Sequence, residues 1–262
     1  DLGRHSCAGA VDQPPLHPDM CRLIAPNLYV DWRIIRLAVF DVDGTLYDQR
    51  CLRPKMLGEL LAHCLRHPSD LRVLRLISVF RRYREELAEE EAQGIGELQY
   101  QQPAARVGID PVEARGMLDD WMLERPLKHL RPCRYAGVAD FMRTLQRSGV
   151  TVAVLSDYPA ANKLAALELD ADLRVSAVDP EVDRLKPHPR GLQRVIEMSG
   201  VAAGQVVMIG DRDERDGECA RRAGTQYLIK STDVHPRMHH FREYADLLDS
   251  FEQGSAEDAA LQ

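Results

Sequence analysis

The sequence has no apolar run near the roughly 18 residues that a membrane-spanning helix needs; its most apolar stretches, 149–156 and 201–210, are only of strand length. A spanning helix is excluded. It also lacks a basic excess: 34 Lys+Arg against 41 Asp+Glu leave a net charge of −7, so the cationic footprint that a nucleic-acid backbone demands is missing. No nucleic-acid partner is expected. Its six cysteines (Cys7, Cys21, Cys51, Cys64, Cys133, Cys219) include no C-x-x-C pair, and no histidines stand at zinc-finger spacing. Neither a disulfide framework nor a metal knuckle is indicated, and reduced thiols in a cytoplasmic protein are expected. The opening residues hold neither an initiator Met nor an apolar signal core, so a processed or truncated start without a secretory leader is expected. Aromatic residues are scarce at 6%, yet 45% hydrophobic and 29% charged residues mark a globular chain, neither disordered nor collagen-like. No internal repeat is found.

Residues 1–33 carry Pro14, Pro15, Pro18 and Pro26 with no apolar period, and read as an extended or partly disordered leader. A near-continuous apolar run from Ile34 to Phe40 then stops at Asp41-Val42-Asp43-Gly44-Thr45, as a buried parallel strand feeding a loop does. Residues 50–134 change to helical patterning, divided by Pro68, Gly94-Ile95-Gly96, Pro103, the 108–111 segment and Pro126 into four or five helices. From Tyr135 helix and strand alternate, with strands at 151–155, 174–178, 206–209 and 226–229. This predicts an α/β fold, a Rossmann-like doubly wound parallel sheet over 34–49 and 135–233 with a helical insert between them. A last helix and tail occupy 234–262.

Ligands of such sheets bind beyond the carboxyl ends of the strands, so the polar residues that follow each apolar run are the candidates. They are Asp41 and Asp43 after the first strand, Ser156 and Asp157 after the second, Lys186 in the segment after the third, and Gly210-Asp211-Arg212-Asp213-Glu214-Arg215-Asp216 after the fourth. In this order, and with separations of 115, 30 and 25 residues between Asp41, Ser156, Lys186 and Asp211, they resemble the haloacid dehalogenase-like (HAD) hydrolase superfamily, over roughly residues 37–230. Its motifs are D-x-D-G-T, a strand-end Ser or Thr, a Lys, and G-D-x-x-x-x-D. The long first gap corresponds to that superfamily's helical cap, here 50–134.

The resemblance implies a phosphatase-type member. Asp41 would be the nucleophile that forms an aspartyl-phosphate. Asp43 would protonate the leaving oxygen and then activate water. Two carboxylates and a phosphate dianion repel one another, which calls for a divalent cation, Mg²⁺, held by the Asp41 carboxylate, the Asp43 carbonyl and Asp211, with Asp216 behind them. Ser156 and Lys186 would hold the phosphoryl oxygens, and Gly44 and Thr45 would help cradle them. Asp213 reads as a surface residue. Members that act as true dehalogenases lack an Asp at the position of Asp43. Phosphonate-cleaving members lack it too and need an early cap lysine, for which only Lys55 is available. Both routes are disfavoured.

The insert carries 15 Lys+Arg and 13 Asp+Glu, so it is the less acidic part of the chain. Arg66, Arg72, Arg75, Arg81, Arg82 and Arg84 precede Glu85, Glu86, Glu89, Glu90 and Glu91 on a helix of segregated charge with an apolar stripe, which reads as an ordinary cap helix with a solvated face, the alternative being a peripheral lipid or partner surface. His63 and His67, one turn apart, read as surface residues, as do His235, His239 and His240. The expected activity is Mg²⁺-dependent hydrolysis of a small phosphorylated metabolite. A phosphotransferase or mutase on the same scaffold, and a regulatory or binding protein with residual phosphatase activity, are the alternatives.

Overall fold

The computed structural model describes residues 30–231 and 239–260, without the side chains of Ser69 and of 255–260. Residues 1–29, and His235 with its neighbours, lie outside the described residues. The apolar run Leu37–Phe40 forms β1, buried on both faces, and its neighbours on either side are β2 (Thr151–Ser156) and β4 (Val206–Gly210). With β3 (Leu173–Ser176), β5 (Gln226–Lys230) and β6 (His240–Phe241) the order is β3-β2-β1-β4-β5-β6, every pairing parallel. The chain builds outward from β1 in one direction and then, from β4, in the other. The crevice where that direction reverses opens at the carboxyl ends of β1 and β4.

Strand alternation splits the core into two layers. Ala38, Phe40, Val152, Val154, Val207 and Ile209 face one side, where α6 (Val138–Arg147), α7 (Ala161–Leu167) and α10 (Tyr244–Ala260) pack through Phe141, Leu164 and Leu247. Leu37, Val39, Ala153, Leu155 and Met208 face the other, covered by α8 (Arg190–Ser199) and α9 (Glu218–Ala223). The expected leader is corrected at its end. Val30 and Trp32 are buried, Trp32 meeting Phe141 and Phe251 edge-on at 5.9 and 5.6 Å. An aromatic side chain of that size gains more from the groove between α6 and α10 than the surrounding prolines suggest.

Between β1 and β2 stand α1 (Gln49–Arg66), α2 (Arg72–Glu89), α3 (Ile95–Val107), α4 (Pro111–Asp119) and the single-turn α5 (Leu127–Leu130). Pro103, expected as a break, lies buried inside α3, where packing against α2 outweighs the lost hydrogen bond. The insert has a core of its own, including Leu76, Phe80, Ala104, Leu118 and Trp121. The solvated-face reading of α2 holds for Arg72, Arg75, Arg81 and Arg82, which are exposed, and is corrected at Arg84. The helix's stripe of Val73, Leu76, Ile77, Phe80 and Leu87 is buried, which removes it as a lipid-facing surface, and Arg84 is buried with it. Glu85 pairs with Arg212 at 3.3 Å and with Arg215, and Glu91 pairs with Arg222, so part of the acidic run faces the sheet domain. From that domain the Asp183 carboxylate also accepts the Gly94 and Ile95 N–H groups, at 2.6 and 2.9 Å, capping α3.

Two further expectations change. Cys51 and Cys133 form a disulfide, with Cα atoms 5.5 Å apart, joining the start of α1 to the segment that leaves the insert; only Cys64 and Cys219 are free among the described residues. A spacing of 82 residues carries no local signature, and only the return of the chain beside α1 brings them together. His63 is half-buried, 3.1 Å from Asp70 and edge-on to Trp121, and His239 stacks on Tyr227 with ring centroids 4.5 Å apart. Neither is a plain surface histidine. Among the described residues no helix is long and apolar enough to cross a membrane.

Candidate active site

Asp41, Ser156 and Asp211 stand at the ends of β1, β2 and β4, whereas Lys186 comes from the loop between β3 and α8 and Asp216 from the turn after β4. The Asp41 N–H donates to the Ile209 carbonyl at 2.8 Å, so the ladder between β1 and β4 continues one residue past β1 and fixes the Asp41 backbone. Its side chain, 5% exposed, has both oxygens engaged: Oδ1 accepts from Lys186 Nζ at 2.5 Å and Oδ2 from Thr45 Oγ1 at 3.0 Å. Lys186 Nζ also donates to Asp216 Oδ1 at 2.6 Å. Asp216 Oδ2 accepts the Asp211 and Arg212 N–H groups at 3.2 and 3.1 Å, which ties the loop after β4. Carboxylate oxygens of Asp41, Asp211 and Asp216 lie within 4.8 Å of one another.

Two glycines make this approach possible. Gly44 has φ +99°, and a Cβ there would stand 2.0 Å from Asp211 Oδ2. A Cβ on Gly210 would meet the Asp216 side chain at 2.3 Å. Both loops are therefore closed on backbone that only glycine can supply.

The Asp43 side chain is not in the three-carboxylate cluster. It receives Lys163 Nζ at 2.6 and 2.7 Å and the Tyr47 hydroxyl, while its carbonyl accepts Gln49 Nε2 at 2.8 Å and keeps one lone pair for another partner. Ser156 ends β2, buried, and its Oγ accepts the Tyr158 N–H at 3.2 Å. Thr45 is fully buried, with its hydroxyl on Asp41 and its carbonyl taking the Tyr244 hydroxyl at 2.7 Å. It braces Asp41 from within instead of facing the crevice. Asp213 is half-exposed and pairs with Arg221 at 3.0 Å, away from the cluster.

A family model for haloacid dehalogenase-like hydrolases matches residues 35–224. The chain belongs to that family. Among its relatives, the phosphoglycolate phosphatase of Pseudomonas fluorescens (strain Pf0-1) is 26% identical over 197 residues, 73% of this chain and 67% of that protein. That of Pseudomonas syringae pv. tomato is 30% identical over 127 residues. Here the match spans only 47% of this chain and 46% of the relative. Solved structures of the same fold include a 2-haloacid dehalogenase from Pseudomonas syringae pv. tomato, with TM-score 0.59 at 18% identity over 84% of this chain and 99% of that one. A HAD-hydrolase of Bacillus subtilis bound to magnesium has TM-score 0.62 at 15% identity over 83% and 99%.

The electrostatics of this HAD-family crevice follow from three carboxylates facing one ammonium. Burial, and then the negative neighbours Asp216, Asp211 and Asp43, push Asp41 well above the carboxylate range, with Lys186 opposing. Asp211 is pushed up to about 7 by burial and by Asp216, against Lys186 and Arg212. Lys186 is held well above its ordinary value, since the attraction of Asp216 and Asp41 outweighs its burial. Without a cation, Asp41 and Asp211 therefore hold protons well above the usual carboxylate range; fully ionised, the trio would carry more negative charge than one lysine offsets. Oxygen donors in excess negative charge suit a hard divalent cation, and the residues fit Mg²⁺ on that ground. Asp43 behaves oppositely: burial would raise it, but Lys163 and Tyr47 hold it below the usual carboxylate range.

Sequence reasoning missed Lys163, Tyr47, Gln49 and Arg84. Lys163 left a trace, because it occupies the same buried face of α7 as Ala160, Leu164 and Leu167, where an ammonium needs a buried partner. Tyr47 and Gln49 left none beyond their nearness to Asp43. Lys186 is anchored in a way no motif shows: its carbonyl accepts from Arg215 Nη1 at 2.8 Å, and the same guanidinium reaches Glu85 of α2.

Proposed function

We propose that this chain is a Mg²⁺-dependent phosphomonoester hydrolase that works through an aspartyl-phosphate on Asp41, with the helical insert as its cap. The observation that carries the reading is the gathering of Asp41, Asp211 and Asp216, two of them paired with one lysine, beside an Asp43 whose carboxylate is held apart from them. Displacement of halide from carbon needs neither a dication nor a proton donor. Transfer of a phosphoryl group to a carboxylate needs charge neutralisation, and an alkoxide leaving group needs a proton. The relatives named phosphoglycolate phosphatases support a small phosphate ester as substrate.

Asp41, Asp211 and the Asp43 carbonyl would hold Mg²⁺, with Asp216 orienting the loop. Bound there, the ion would neutralise phosphoryl charge and lower the cost of ionised Asp41. One Asp41 carboxylate oxygen attacks phosphorus, the ester P–O bond breaks, and the departing oxygen takes a proton from Asp43. Lys186, which contacts Asp41, and Ser156, at the end of the neighbouring strand β2, hold the phosphoryl oxygens. Asp43, now ionised, takes a proton from water, whose oxygen attacks phosphorus and releases phosphate and free Asp41. Lys163 and Tyr47 position the Asp43 carboxylate and favour the ionised form needed in this second half.

The test is phosphate release from a panel of monoesters with Mg²⁺, comparing the natural chain with Asp41→Asn, an isosteric change that removes charge and nucleophilicity. The natural chain should turn over at least one ester and form an acid-stable phosphoprotein. Asp41→Asn should stay folded, form none, and release phosphate at under about 1% of that rate. Transfer to an added sugar hydroxyl in preference to water would assign the chain to phosphotransfer instead.

A further inference from the structure

Arg84, on α2 of the insert, is 6% exposed, yet among the described residues no carboxylate oxygen comes within ion-pair distance of it. Its partners are neutral. Nη1 donates to the Gln99 side-chain oxygen, Nη2 donates to the Asp157 carbonyl at 2.8 Å, and the guanidinium lies over the rings of Tyr158 and Phe80, 4.1 and 5.7 Å from their centroids. Two of its five N–H donors are thereby used, and the others find no acceptor among the described residues. Other insert cations are treated differently: Arg72, Arg106, Arg115, Arg125 and Lys128 each have a carboxylate within reach although they are far more exposed. A guanidinium cannot shed its proton, so burying it without an anion costs free energy that stacking on rings recovers only in part.

Its place explains the cost. Lys163 Nζ, which holds Asp43, lies 4.9 Å from the centroid of the same Tyr158 ring, so Arg84 and Lys163 stand no more than about 9 Å apart on one aromatic platform. Asp157, whose carbonyl Arg84 binds, follows Ser156, and its carboxylate accepts the Lys186 N–H at 3.4 Å. Arg84 is therefore the cation of the insert that reaches the loop between the phosphoryl-holding residues and the acid–base carboxylate, the side from which the leaving group of an ester must depart. Resting on the phosphatase reading, we propose that Arg84 is the subsite for a second anionic group, a carboxylate or a phosphate, carried by the leaving group of the substrate. Substrates of this chain then carry anionic groups in two places, one end engaged by Lys186 and Ser156, the other by the Arg84 fork, with Tyr158 and Phe80 excluding water around it.

The test compares kcat/KM within two matched pairs: 2-phosphoglycolate with its methyl ester, and propane-1,3-diol bisphosphate with propyl phosphate. In the natural chain the doubly charged member of at least one pair should be favoured by about 30-fold or more, the size expected of charge-assisted hydrogen bonds. The pair that shows it identifies the group. In Arg84→Met that ratio should fall to within about threefold of unity, whatever happens to the absolute rates, and Arg84→Lys should restore part of it. No preference in either pair, or a preference that survives Arg84→Met, overturns the subsite. Should Arg84→Met fail to fold, calorimetry on Asp41→Asn protein with Arg84 intact decides: acid and methyl ester binding equally, and bisphosphate and monophosphate likewise, overturns it. Absence of turnover of all four esters while another ester of the panel is hydrolysed overturns the subsite alone; absence of turnover of every ester with Mg²⁺ brings down the phosphatase reading, and the subsite with it.

Discussion

Without a divalent cation the protein should lose stability as pH rises from the acid range to neutrality, because folding forces Asp211 and Asp41 into a site where their charges repel. Asp211 moves from an ordinary 3.8 to about 7, for burial first and the Asp216 charge second. A carboxyl raised in the folded state binds its proton more tightly when folded, so its contribution is complete below pH 3.8 and is lost progressively up to about pH 7. At about 1.4 kcal/mol per tenfold change in proton affinity this is roughly 4 kcal/mol in all, of which roughly 3 kcal/mol falls between pH 5 and 8. Asp41 is shifted in the same direction and adds to the loss. Asp43 is shifted downward, so its contribution changes only below pH 3.8 and leaves this window clear.

Urea unfolding at pH 5, 6, 7 and 8 in a chelator measures the slope. Asp211→Asn is the control: it removes the Asp211 titration together with the part of the Asp41 shift that the Asp211 charge causes, and keeps that of His188, whose pKa burial lowers. The natural chain should lose more stability than the variant by an amount on the order of 3 kcal/mol. With about 10 mM Mg²⁺ the natural chain should recover, and recover more at pH 8 than at pH 5, because only the ionised trio binds the cation. Parallel pH profiles for the two proteins in chelator, or a Mg²⁺ effect that does not grow with pH, would refute the reasoning.

Asp43→Asn should slow enzyme phosphorylation far more with alkyl phosphates than with nitrophenyl phosphate, whose leaving group needs no proton; a burst near one equivalent followed by slow turnover, with phosphoenzyme trapped in acid, checks it. Lys163→Met removes the cation that holds Asp43 down against its burial, so the acidic limb of the kcat profile should move to higher pH by about one unit or more. A limb that stays in place would show that Lys163 braces the helix and nothing else. Alkylation should spare activity, since Cys64 and Cys219 are buried and burial pushes the Cys219 thiol up to about 12; stoichiometric labelling that abolishes turnover and is blocked by substrate would contradict this.

Local chemistry determined much of this protein by itself. The apolar run that ends at Asp41, the alternation of strand and helix after Tyr135, and the spacing of Ser156, Lys186 and Asp211 define the parallel sheet, because each depends on short-range pattern and on the rule that polar residues gather where parallel strands end. Gly44 is legible in the same way, as part of a strand-to-loop motif. Tertiary structure alone decided which charges meet. Lys163 against Asp43, Arg215 bridging Lys186 and Glu85, Arg84 on Tyr158 and the Cys51–Cys133 bond join residues 29 to 130 positions apart. The acidic and basic run along α2 looks solvated in sequence because charge normally seeks water. Folding the insert onto the sheet domain buries Arg84 and turns Glu85 to arginines of the core, and no periodicity encodes that face because the side chains it meets come from the other half of the chain.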